Sequence, residues 1–108
     1  MNEVLRDKWV AALRSGKYEQ SRGRLRTQNG YCCLGVLCDV KDPNGWNQEN
    51  DRWIHKDSFR EGSWYLSESL REEVGLTEEC QVRLAKLNDD GETFERIAQE
   101  IEKNGQSD

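Results

Sequence analysis

Apolar residues along this chain fall into short clusters separated by charged stretches, and the spacing within each cluster predicts its local structure. Asn2 stands where it can cap a first helix whose Val4, Leu5, Trp9, Ala12 and Leu13 share one stripe, with Arg14 in the last turn and Gly16 as the stop. Residues 22–27, Arg-Gly-Arg-Leu-Arg-Thr, predict a short strand, turned at Gln28-Asn29-Gly30 toward a partner strand starting at Tyr31. Residues 31–40 are the densest apolar run, and a short continuous run of this kind fits a buried strand or a buried helix equally. Leu34 and Leu37, and an end at Asp39 ahead of Asp42-Pro43, favour a short buried helix. Gly35 opposes it by roughly 1 kcal/mol relative to alanine.

Residues 42–63 are polar, with Trp46 and Trp53 isolated among charges. Arg52-Trp53-Ile54-His55 predicts a strand whose partner is Trp64-Tyr65-Leu66. Ser67 then caps a helix through Leu70 and Val74 that ends at Gly75-Leu76, and Thr77 caps another with Cys80, Leu84 and Leu87 as its buried stripe. Asp89-Asp90-Gly91 ends that helix, and Thr93 caps a last one carrying Phe94, Ile97, Ala98 and Ile101. The expected fold is α+β: four to five short helices packed around a buried cysteine-rich segment, with a small two- or three-stranded antiparallel element. Residues 1–103 read as a single domain and 104–108 as a frayed tail.

Composition narrows the class. The chain has 108 residues, is 34% hydrophobic and 34% charged, and carries a net charge of −5, so its core is thin and its four tryptophans weigh heavily in it. A thin core with so much aromatic surface is compatible with a homodimer. No apolar run is long enough to span a membrane, and the amphipathic first thirteen residues, with Glu3 and Asp7, are unlike a secretory leader. A reduced, cytoplasmic setting is expected, without disulfides.

Cys32, Cys33, Cys38 and Cys80 match a zinc site in number but not in spacing, because adjacent cysteines point apart and no C-x-x-C pair exists. They read as core residues, and no metal or other cofactor is expected. A cysteine nucleophile would have only His55 as its imidazole base, and no hydrolase, metalloprotease or nucleotide-loop motif is present. No catalytic residue is therefore assigned, with a cysteine-dependent enzyme as the remaining alternative. Residues 87–101 resemble the turn and second helix of a helix-turn-helix, but Glu92, Glu95, Glu100 and Glu102 would face the phosphates. Sequence-specific DNA binding is not expected.

The basic residues are concentrated. Arg14, Lys17, Arg22, Arg24 and Arg26 lie close together with only Glu19 among them, in a chain that is otherwise acidic. On a strand, Arg22, Arg24 and Arg26 would share a face and place three guanidinium forks along roughly 13 Å. Lys17 would approach from the first helix, and Tyr18, Trp46 or Trp53 could stack on a base. The expected ligand-binding set is thus Arg22, Arg24, Arg26, Lys17, Tyr18 and Trp53. The bland reading of the same arginines is an edge strand kept soluble by charge.

Several motifs, taken together, resemble a group of small bacteriophage and prophage proteins. They are Trp9-x-x-x-Leu13-Arg-Ser-Gly16-x-Tyr18-x-Gln20, Arg22-Gly-x-Leu-Arg26, Tyr31-Cys-Cys-Leu-Gly-Val-Leu-Cys-Asp39, Trp64-Tyr-Leu-Ser67 and Leu87-Asn-Asp-x-Gly91-x-Thr-Phe94-x-x-Ile97-Ala98. Ser67 departs from the proline common there in the group. The resemblance implies a phage or prophage setting, hence the host cytoplasm, and supplies no catalytic residue; in that setting the expected function is that of a non-enzymatic accessory protein in counter-defence or host takeover. The expected partner is a small anionic ligand such as a nucleotide signal, or else a host protein inhibited by direct contact.

Overall fold

The computed structural model describes residues 3–50, 52–59 and 64–106. Its elements are α1 (Glu3–Arg14), β1 (Arg26–Thr27), β2 (Gly30–Tyr31), α2 (Cys33–Lys41), β3 (Trp46–Glu49), β4 (Arg52–His55), α3 (Glu68–Val74), α4 (Glu78–Asp89) and α5 (Phe94–Gln106). This is the expected α+β arrangement, with two separate two-stranded antiparallel sheets, β1–β2 and β3–β4. The dense apolar run is a helix, and residues 32–38 are all buried. Helix α1 packs on α2 and α5, and α4 packs on the other two as well.

Local chemistry explains four helix ends. The Ser67 hydroxyl accepts from Leu70 N–H at 3.2 Å, Thr77 from Cys80 N–H at 3.1 Å and Thr93 from Arg96 N–H at 3.1 Å, three side-chain caps. Gly75 is left-handed at φ 74°, its N–H donates to Glu72 O, and Leu76 N–H folds back to Arg71 O at 2.8 Å. That is the Schellman pairing.

Packing rotates two helices relative to the stripes expected for them. In α1, Val10 is buried and Val4 is 66% exposed. At 3.6 residues per turn Val10 lies nearer the stripe centre, Trp9, than Val4 does. In α4 the fully covered residues are Gln81, Leu84 and Asn88, while Cys80 and Leu87 sit at the margin. Helix α5 also continues through Gln106, into the segment expected to be a tail.

The strands differ more. The strand expected over residues 22–27 shrinks to Arg26–Thr27, because Gly23 turns left-handed at φ 83° and gives its N–H to the Asp89 carboxylate at 2.8 Å. Leu25 is then wholly buried, and its carbonyl accepts from Cys32 N–H at 3.1 Å. Strand β4 forms as expected but pairs with β3, with Trp46 opposite His55 and Glu49 opposite Arg52. The β3 residues Trp-Asn-Gln-Glu hold no apolar alternation, and Asn50 supplies the left-handed conformation, at φ 50°, that a tight hairpin needs. Leu66 instead bridges Ser58, flanked by bonds from Phe59 N–H to Tyr65 O (2.9 Å) and from Ser67 N–H to Asp57 O (2.6 Å).

The start of α2 is the tightest junction. Cys32, at its N-cap, offers no side-chain hydrogen bond. The fully buried Asn88 of α4 supplies the acceptor instead, its Oδ1 receiving Cys33 N–H at 3.2 Å and the Gln20 amide at 2.9 Å. Its Nδ2 donates to Ser21 O at 2.8 Å. Trp9 Nε1 donates to Cys33 O at 2.8 Å from the opposite element, and a Cβ on Gly35 would run into the Leu25 carbonyl.

Two substitutions test this junction. Gly35→Ala, which in an open helix would stabilise by up to about 1 kcal/mol, is expected to destabilise by more than about 3 kcal/mol, because backbone must move. Asn88→Ala orphans a buried N–H and a partly buried carbonyl and is expected to cost about 2–3 kcal/mol. Urea denaturation measures both; a stabilised Gly35→Ala protein, or an Asn88→Ala loss under about 1 kcal/mol, would contradict the packing described.

Candidate functional site: an arginine among aromatic rings

The bend at Gly23 and the burial of Leu25 send the three arginines to different places. Arg22 lies against the α4–α5 turn, where a Cβ on Gly91 would sit 2.9 Å from its Nη2. The Arg24 guanidinium lies over the Trp64 ring, 5.2 Å from the centroid. Arg26 lies over three rings at once: Trp53 at 3.8 Å, Tyr31 at 5.1 Å and Trp46 at 5.4 Å. The common face of three guanidiniums does not form.

Arg26 and Trp53 of the expected set thus come together, and Tyr18 joins them through Tyr31, whose ring meets Tyr18 edge-on at 5.1 Å. The chain of edge-on contacts continues from Tyr31 to Trp46 at 6.0 Å and from Trp46 to His55 at 4.7 Å. Lys17 lines a separate cleft against α1, with Lys8, Ala12 and Tyr18 among its walls. Arg22 and Arg24 stay outside the cluster.

Asp39, in the last turn of α2, anchors the cluster. Its carboxylate accepts from Tyr18 OH at 2.6 Å and from Trp46 Nε1 at 3.0 Å. Partial burial, reinforced by this carboxylate, raises both the Tyr18 and Tyr31 phenols above the usual tyrosine range; Arg26 partly offsets the shift at Tyr31. Tyr31 and Asp39 were not legible as site residues, since both belong to the apolar run. The available signal was position: they flank its wholly buried stretch, so each reaches half-buried surface.

Electrostatically, Arg26 is unlike its counterparts. Arg14 faces Glu95 and Glu102, and Arg83 and Arg96 both face the buried Glu100, holding its carboxyl below the usual range, Arg96 foremost. The Arg26 guanidinium forms no ion pair or hydrogen bond with a described residue. Three aromatic faces fix its plane by cation–π attraction, about 0.5–2 kcal/mol each, and leave the donor edge of the guanidinium for an acceptor.

The thiols and the histidine are engaged in structure. Cys33 donates to Leu84 O at 3.6 Å. Burial pushes the Cys32 thiol up to about 11, and those of Cys33 and Cys38 well above the ordinary 9.0. A nucleophilic thiolate needs the opposite shift. His55 is buried; Nδ1 accepts from Asp57 N–H at 3.0 Å, which leaves Nε2 to carry the proton and donate to Asp42 O at 2.8 Å. Among the described residues no group of three or more His, Cys, Asp or Glu could hold a metal ion.

Raised thiol pKa values mean that the folded state holds protons the unfolded chain releases, so stability is fully present below about 9 and falls as pH rises toward 11 and beyond. Urea unfolding between pH 8 and pH 11 (roughly the thiol range) measures this, and a flat profile would contradict it. With a thiol reagent, half-buried Cys80 is expected to react first, and the other three only on unfolding.

No curated protein and no solved structure matches the chain. A family match covers residues 1–72, which include α1, the arginine segment, α2, the β3–β4 hairpin and every member of the Arg26 cluster. That span is two thirds of the chain, which therefore belongs to the family described as Domain of unknown function (DUF8296).

Proposed function

We propose that this chain is a non-enzymatic binding protein that holds a small phosphate- or carboxylate-bearing ligand, of the nucleotide class, at Arg26. The observation that carries this reading is a half-buried guanidinium held on three aromatic faces with no carboxylate partner among the described residues. A stacked guanidinium keeps its full charge and its donor fork, is weakly hydrated, and is already positioned for a bidentate anion. Trp53 and Trp46 place π-surface beside that fork, which suits a ligand joining an anion to a planar base.

Burial of Cys32, Cys33 and Cys38, and the engagement of both His55 nitrogens by backbone, support binding over thiol or imidazole catalysis. The resemblance to small phage and prophage proteins supports a setting in the host cytoplasm, where sequestering a nucleotide signal would blunt a defence response. No helix among the described residues is long and apolar enough to cross a membrane.

Thermal denaturation with a panel of nucleoside mono-, di- and triphosphates, cyclic nucleotides and inorganic phosphate tests the reading. Ligand at a hundredfold excess over Kd adds about 2.7 kcal/mol, so the melting temperature is expected to rise by several degrees with at least one nucleotide. Arg26→Gln is expected to abolish the rise and Arg22→Gln to keep it. An equal response from Arg26→Gln, or silence across the panel, would overturn the assignment.

A further inference from the structure

A groove of about 400 Å³ opens between the starts of α3 and α4. Its floor is the buried Leu66, and its lips are Phe59, Tyr65 and Val82, which are 48%, 40% and 48% exposed. Side chains of this size left half in water, side by side, mark surfaces that meet another molecule more often than they mark chance exposure. The groove is also preformed. Leu66 N–H donates to the buried Gln81 Oε1 at 2.7 Å, which ties its floor to α4, and Phe59 N–H donates to Tyr65 O at 2.9 Å, which ties the two lips together.

The charge around it is one-sided. Glu68 lies in the first turn of α3, and Glu78 and Glu79 in the first turn of α4; Glu68 and Glu78 line the groove, and Glu79 lines the cleft beside it. None of the three forms an ion pair with a described residue, whereas Glu73, Glu95, Glu100 and Glu102 all do. Arg71 is the cation on the lining, and its Nη1 turns to Leu76 O at 3.3 Å. Two helix starts of about +0.5 charge each offset only part of three carboxylates.

From this we infer that the groove docks a segment of another protein, in which an aromatic or branched apolar side chain is flanked by lysine or arginine. The apolar lips take the anchor, and the carboxylates steer and register the basic flanks. Phosphate-bearing surfaces are repelled by the same rim. The most basic segment of a second copy could not supply that anchor, because the apolar residue within it, Leu25, is wholly buried. This inference goes beyond the Arg26 site and shares no residue with it.

Fluorescence anisotropy with two labelled peptides of about twelve residues, enough to cross a groove of this size in extended form, tests it on the intact chain. One peptide carries a central phenylalanine flanked by arginine and lysine; the other carries glutamate at each basic position. The basic peptide is expected to bind, more weakly as salt rises, and the acidic one not to. Val82→Asp is expected to weaken binding about tenfold or more, and Glu78→Lys combined with Glu79→Lys to transfer the preference to the acidic peptide. Val82→Asp is expected to melt near the parent, since the position is exposed, the lysine pair to melt somewhat lower but still cooperatively, since it sets two cations at a helix start, and Arg26→Gln to bind as the parent does. Equal binding of both peptides, binding by neither, indifference to Val82→Asp, or a dimer in sedimentation that Val82→Asp dissociates would each overturn the inference.

Discussion

A helix that is apolar all round has to bury its first turn together with its sides, and that turn carries N–H groups with no partner in the helix itself. In α2 the residue at the cap is a cysteine, which makes no capping bond. Asn88, in the last turn of α4 on its buried face, supplies the missing acceptor and through its amide nitrogen holds Ser21 O. The rest of the domain follows from that satisfaction. It fixes the 20–21 segment against α4, Gly23 then turns onto Asp89, and Leu25 is driven under Gly35 where only a hydrogen can stand. An apolar residue in place of Asn88 would bury more carbon and leave the buried Cys33 N–H and the Ser21 carbonyl unpaired.

The candidate site is a by-product of the same constraint. With Leu25 committed to the core and its carbonyl bonded to Cys32, the neighbouring arginines leave in separate directions, Arg24 to Trp64 and Arg26 to the aromatic cluster. The cluster is assembled from four places in the chain: Tyr18 after α1, Arg26 and Tyr31 in the small β1–β2 hairpin, Asp39 at the end of α2, and Trp46 and Trp53 across β3–β4. One carboxylate ties two of its rings through hydrogen bonds, so ring positions are set by directional bonds as well as by contact. A cation held this way is oriented without being neutralised, which separates Arg26 from Arg14, Arg83 and Arg96, whose charges are absorbed by the glutamates of α5.

Local signals were legible wherever the physics is local. The serine and threonine caps at 67, 77 and 93, the left-handed Gly75 and the apolar period of α5 act within a few residues, and each can be read from neighbours in the chain. The β3 strand was not legible, because a hairpin held by its backbone bonds and an Asn50 turn needs no apolar alternation. Gln81 and Asn88 were not legible as buried residues either. Polar side chains are covered only when something distant needs their hydrogen bonds, and here those needs lie at Leu66 N–H and at the start of α2.

The amino-acid sequence by itself determined that the chain is α+β, that its middle is the cysteine-bearing apolar run, and that the three thiols of that run are core material, since composition and period depend on residues near one another. Only the tertiary structure decided which face of α4 is covered, which strand pairs with β4, and which of three arginines meets the aromatic rings. Those outcomes depend on unpaired N–H and C=O groups brought together from across the chain, and nothing in the order of residues announces where such groups will meet.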